Sequence, residues 1–257
     1  MSVFRKLKGL AFFLGTSFKN LQTVGTFLPT GKKLANALVV PLEAMPGDAR
    51  RIIEIGPGHG SLTRTIVQHM RERDTLTLVE IIPEFAKYLE KWRDSLEPQL
   101  AKRIRVVCTD ILEFQDDPYD MVVCGAPFNC LPAPLVKQFY PKFYSLSHKD
   151  SVLTTYEYFG SKRLHLMMPF DRERIVVVEN IVTMFRKRAE LYKKVILFHL
   201  PPILITYYAA GKLYPDDDPE NPNNLTVGEP ETTEIADAET GDLAEAEVDE
   251  KELAGVS

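Results

Sequence analysis

The chain has little cysteine, no long uninterrupted apolar run and no acidic residue before Glu43. Its three cysteines, Cys108, Cys124 and Cys130, form no C-x-x-C pair and no regular framework. They read as reduced thiols at or near the core of a cytosolic protein, and no metal is expected. The apolar run Gly9–Gly15 is short and no small-residue cleavage site follows it, so a secretory leader is not expected. The longest charge-free stretch, Val195–Gly211, is broken by His199 and by Pro201-Pro202. It is too short for a comfortable membrane span and reads better as two buried strands meeting at the prolines.

What is present is uneven in charge. The 257 residues carry a formal net charge of −5 and a pI near 5.6. That average hides a tail, Pro215–Ser257, of net −14 and a body, Met1–Tyr214, of net +9. A basic body favours polyanions, either nucleic acid or an anionic lipid surface. The tail has no hydrophobic periodicity and too little apolar content to fold, so disorder is expected there. Three units follow: residues 1–22, a domain over 23–214, and a tail over 215–257.

Residues 1–22 place Val3, Phe4, Leu7, Leu10, Leu14, Phe18 and Leu21 at helical spacing. Arg5, Lys6, Lys8 and Lys19 are the charged side chains of this stretch, and Lys32 and Lys33 extend the bias. Such a helix either packs its stripe on the domain or lies in a membrane interface, cations toward the headgroups. The second reading is favoured.

The domain is organised around Arg51–Thr65, RIIEIGPGHGSLTRT. Ile52, Ile53 and Ile55 predict a buried parallel strand. The turn Gly56-Pro57-Gly58-His59-Gly60 follows, and Ser61 reads as the N-cap of a helix over roughly 62–73. A strand, a glycine turn and a helix N-terminus make a cradle for a nucleotide or nucleoside. The G-x-G-x-G spacing fits neither the dinucleotide nor the phosphate-loop pattern. Further strands are expected at Thr75–Glu80, Ile104–Cys108, Tyr119–Cys124, Ser151–Tyr156, Val195–Leu200 and Ile203–Tyr208. Helices are expected at Glu84–Leu96 and Ala133–Tyr144, and ahead of the last two strands at Asp171–Arg188. The last is locally strand-like at Ile175–Val178, yet Ile175, Val178, Val182 and Phe185 share a helical face. The fold class is therefore α/β, a mostly parallel sheet with helices on both faces and ligands at the strands' carboxyl ends. Glycines, Glu80, Asp110 and Gly125–Asn129 fall at four successive strand ends.

This order resembles the S-adenosylmethionine-dependent methyltransferases with a Rossmann-like seven-stranded sheet. The resemblance implies that Glu54, Gly56, Gly58 and Gly60 pass beneath the methionine part of the cofactor. It implies that Glu80 receives the ribose hydroxyls, that Asp110 accepts from the adenine amine, and that Ile81 and Ile111 flank the purine. Gly125-Ala126-Pro127-Phe128-Asn129 is similar to the Asn-Leu-Pro-Tyr-Asn element of the ribosomal RNA adenine dimethylases, but Gly125 stands where their leading Asn holds the target nitrogen. The segment Phe18–Ala35, Thr155-Tyr156 and His199-Leu200-Pro201-Pro202 resemble elements of the bacterial phospholipid N-methyltransferases. That likeness implies methyl transfer to the amine of a phosphatidylethanolamine-type lipid, by a protein peripheral to the inner face of the membrane. The expected partners are the phospholipid and an anionic membrane surface. An RNA adenine acceptor is the alternative, and a silent cofactor-binding adaptor a second.

On the lipid reading Glu157 is a candidate proton acceptor, because an alkyl ammonium titrating near about 10 must lose a proton before its nitrogen attacks. Phe128, Tyr156 and Tyr158 are candidates to hold the cation by cation–π attraction. Lys6, Lys8, Lys32 and Lys33 are candidate contacts to phosphate or the membrane.

Overall fold

In the computed structural model of the protein, residues 31–128, 131–158, 172–197 and 202–214 are described. The expected N-terminal helix with Lys6 and Lys8, the acidic tail, Asn129 and Cys130 lie outside them.

The described residues build one seven-stranded sheet. Its strands are β1 (Arg51–Ile55), β2 (Thr75–Glu80), β3 (Ile104–Cys108), β4 (Tyr119–Cys124), β5 (Ser147–Tyr158), β6 (Glu190–Ile196) and β7 (Ile203–Ala209). The spatial order is β3-β2-β1-β4-β5-β7-β6, and only β7 runs antiparallel to its neighbours. The order reverses at β1, where β2 lies on one side and β4 on the other, so a crevice opens at their carboxyl ends.

Two apolar layers cover the sheet because strand side chains alternate. Helices α1 (Lys32–Val39), α2 (Ser61–His69) and α3 (Pro83–Asp94) lie on one face. They pack Leu34, Leu38, Leu62, Ile66 and Leu89 against Ile52, Leu78 and Val123. Helices α4 (Ala133–Ser145) and α5 (Arg172–Ala189) cover the other face. There Phe139, Tyr140, Phe143, Val182 and Phe185 meet Ile53, Val122 and Tyr208. Burial of Val178, Val182 and Phe185, with Val176 and Val177 exposed, follows a helical period and settles α5 as a helix. A buried ion pair, Arg50 with Asp74, ties the starts of β1 and β2, and Arg50 N donates to Asp74 Oδ1 at 2.8 Å.

Two expectations shift. Ser61 is the first helical residue and Gly60 the cap, with no side-chain hydrogen bond. The sixth strand is Glu190–Ile196, not Val195–Leu200. It is an exposed edge strand carrying Lys193 and Lys194, so apolar content does not mark it. Pairing with β7 and the stacking of Tyr192 on Tyr207, centroids 5.0 Å apart, define it instead. Among the described residues no helix is long and apolar enough to cross a membrane.

Candidate active site

The glycine turn sits where β1 ends. Gly56, Gly58 and Gly60 have φ of +69°, +55° and +74°, a region L side chains rarely adopt. A Cβ on Gly60 would lie 2.9 Å from Leu89 Cδ2, so this glycine also lets α3 approach. Cβ atoms on Gly56 and Gly58 would meet nothing within 4 Å. Their left-handed backbone therefore faces room a ligand can enter. Backbone bonds lock the surroundings: Gly56 N donates to Val79 O at 2.9 Å, and Gly125 N to Ile55 O at 2.8 Å.

Glu80, at the end of β2, is 3% exposed and reaches over this turn. Its Oε2 accepts from Gly58 N and its Oε1 from Ile82 N, both at 2.9 Å. Two backbone donors thus orient the carboxylate and leave each oxygen with further acceptor capacity. Burial pushes its pKa up, against the lowering effect of those bonds. At the end of β3, Asp110 Oδ1 accepts from Leu112 N at 3.0 Å, which closes the turn after the strand. Ile81 is half-buried, while Ile111 is buried with Val79 and Phe114.

Glu54 lies fully buried beneath the turn and accepts a 2.6 Å bond from Thr63 Oγ1 on α2. Its other oxygen, Oε1, has no partner among the described residues. Burial raises its pKa from 4.5 to about 8, Thr63 opposes the rise, and the Glu80 charge adds to it. The folded state therefore holds the Glu54 proton where the unfolded chain has lost it. This contribution to stability is complete below pH 4.5 and is lost as pH rises toward about 8, by up to about 1.4 kcal/mol per pH unit. Thermal unfolding should show midpoints falling across that window, and Glu54→Gln should flatten the slope. An unchanged slope in the variant would remove Glu54 as its source. Sequence reasoning missed Thr63. A polar β-branched residue three places past the last glycine, on the turn of α2 facing β1, was the available signal.

Of the aromatic candidates, Tyr156 reaches the end of β4: its hydroxyl donates to Gly125 O at 3.2 Å. Tyr158 stands edge-on to it, centroids 6.0 Å apart, and both are buried. Phe128 is different. It was expected to present its ring to a substrate, but it is fully buried among Phe139, Tyr140 and Phe143, centroids 5.5–6.1 Å away. An apolar ring following a strand end is drawn into the layer beneath α4. Glu157 also departs from expectation. It points to the sheet face opposite Tyr156 and Tyr158 and pairs there with Arg186 of α5. Strand alternation forces this, since adjacent residues of β5 face opposite ways. Burial raises the Glu157 pKa and the Arg186 charge opposes the rise, so the carboxylate is a strut for α5. Lys32 and Lys33 are exposed at the start of α1, where Lys33 lines a groove that shares no lining residue with the turn.

Sheet order, glycine turn and strand-end acids together define a Rossmann-like methyltransferase domain. A crystal structure of an O-methyltransferase from Bacillus cereus shares this fold, with a TM-score of 0.56 at 12% identity over 76% of this chain and 89% of that one. The family model for ribosomal RNA adenine dimethylase matches residues 26–171, and the chain belongs to that family. It is 33% identical over 130 residues to a ribosomal RNA small subunit methyltransferase A from Thermobifida fusca, covering 49% of this chain and 43% of that protein. It thus spans less than half the length of that relative. It is also 25% identical over 138 residues to an ornithine lipid N-methyltransferase from Singulisphaera acidiphila, covering 52% of this chain and 70% of that protein.

Proposed function

We propose that the chain is an N-methyltransferase that uses S-adenosylmethionine. The observation that carries this reading is Glu80, fixed by Gly58 N–H and Ile82 N–H above a left-handed glycine turn with open space over Gly56 and Gly58. A carboxylate so oriented suits a ribose diol, and a left-handed turn with no side chain over Gly56 and Gly58 lets a ligand approach the backbone closely. Glu54, buried beneath the same turn with Oε1 unpartnered among the described residues, would pair with a cationic amine only in its ionised form, so binding there would release its proton. When bound, the sulfonium supplies an already electrophilic methyl group. The protein's part is then to orient the acceptor nitrogen in line with it and to keep water out.

Family membership and the T. fusca relative support an adenine nitrogen of ribosomal RNA as the acceptor. One observation favours a second reading, a phosphatidylethanolamine-type amine. Gly125 offers no side-chain carbonyl to an adenine amine, and a Cβ there would lie 2.7 Å from Gly56 O. The ornithine lipid methyltransferase relative, matched over more of its length, supports a lipid amine in general rather than this headgroup. Incubating the purified full chain with methyl-labelled cofactor separates the readings. Deproteinated ribosomal RNA is offered in one reaction and anionic liposomes containing phosphatidylethanolamine in the other. Label in RNA alone sinks the lipid reading, and label in lipid alone sinks the RNA reading. Label in neither, with cofactor bound, would reject both acceptors.

A further inference from the structure

The edge of the sheet at β6 carries a surface that the proposed reaction does not use. Five of the eight exposed large hydrophobic residues among those described, Val40, Leu191, Tyr192, Val195 and Leu197, lie on β6, just after it or at the end of α1. Leu197 is 66% exposed and Leu191 57%. Lys193 and Lys194 are exposed on the same strand, and Lys187 at the end of α5 leads into it. A groove of about 530 Å³ runs between α1 and β6, with Val40, Val195 and Leu197 on its walls and Lys33 and Lys194 beside them. Two acids lie at this edge: Glu190, which pairs with Lys193 at 3.4 Å, and Glu43, 3.5 Å from His69 Nε2; Lys194 and Lys187 stand beyond them.

Aliphatic side chains interleaved with lysines narrow the choice of partner. Protein interfaces exclude lysine from their centres, and a second copy adding a strand at β6 would meet Lys193 and Lys194 on the pairing edge. An RNA backbone would use the cations and leave Leu191, Val195 and Leu197 in water. An anionic bilayer uses both, taking the aliphatic groups at the acyl boundary while lysines extend to the phosphates.

We infer that the β6–α1 edge of the folded domain is a membrane-docking face for an anionic lipid surface. This goes beyond the acceptor question, because it holds or fails on vesicle binding whichever nitrogen is methylated. The test is sedimentation of the full chain with phosphatidylcholine vesicles, with and without phosphatidylglycerol. Neither lipid carries a primary amine to methylate, so binding is read apart from turnover. Lys193→Glu with Lys194→Glu, and separately Val195→Ser with Leu197→Ser, should each lower affinity for the anionic vesicles at least tenfold. The thermal midpoint and cofactor affinity should stay at wild-type values. If the charge-reversal pair loses stability, Lys193→Gln with Lys194→Gln replaces it, with a smaller loss expected. Sedimentation unchanged in folded variants overturns the inference, as does wild-type protein that ignores phosphatidylglycerol. So does loss of RNA binding or of a dimer in variants that still sediment.

Discussion

Gly125→Ala is expected to destabilise the domain and loosen cofactor binding together, although alanine adds only a methyl group. The added Cβ would stand 2.7 Å from Gly56 O and 3.2 Å from Ile55 O. Both are backbone atoms in locked positions, since Gly56 N is bonded to Val79 O and Gly125 N to Ile55 O. No rotamer can relieve the contact, so the ends of β1 and β4 must part and carry the glycine turn with them. Overpacking of this kind costs about 1–3 kcal/mol, or roughly 2–4 °C of thermal midpoint per kcal/mol in a domain of this size. Calorimetric titration should find cofactor affinity down about tenfold or more, a displacement worth at least about 1.4 kcal/mol. Wild-type midpoint and affinity would show that the strand ends have slack the geometry denies.

Glu80→Ala should have the larger effect on affinity. It removes the acceptor proposed for two ribose hydroxyls and leaves Gly58 N–H and Ile82 N–H without their partner. Hydrogen bonds to a charged group contribute about 1.5–3 kcal/mol each, so losing two weakens cofactor binding by roughly 10²–10⁴-fold. The same change removes a negative charge that raises the Glu54 pKa. The Glu54-linked loss of stability with pH should therefore finish at lower pH in the variant. Normal cofactor affinity in a folded Glu80→Ala protein would undo the ribose assignment, whatever happens to the pH profile.

The sheet, the glycine turn and the strand-end acids were legible in the sequence because they rest on local signals. Ile52, Ile53 and Ile55 announce a strand buried on both faces, and three glycines announce a left-handed turn. Glu80 and Asp110 fall where strands end. Strand β6 was misplaced because an edge strand carries lysine and little burial. The directions of the side chains proposed for the acceptor side were not legible. Phe128 and Glu157 have residue types suited to holding and deprotonating an amine, but type does not state which way a side chain faces.

The sequence by itself determined the α/β order, the positions of the glycine turn and the strand-end acids, and the charge division between body and tail. These follow from periodicity and from backbone conformations that only certain residues adopt. The tertiary structure decided which of those residues share a space. It set Glu54 beneath the turn with Thr63, turned Glu157 away toward Arg186, and buried Phe128 under α4. It also pressed Gly125 against Gly56 and gathered aliphatic and lysine side chains on one edge. Those outcomes depend on strand alternation, sheet order and close approach between segments distant in sequence, which a linear pattern does not contain.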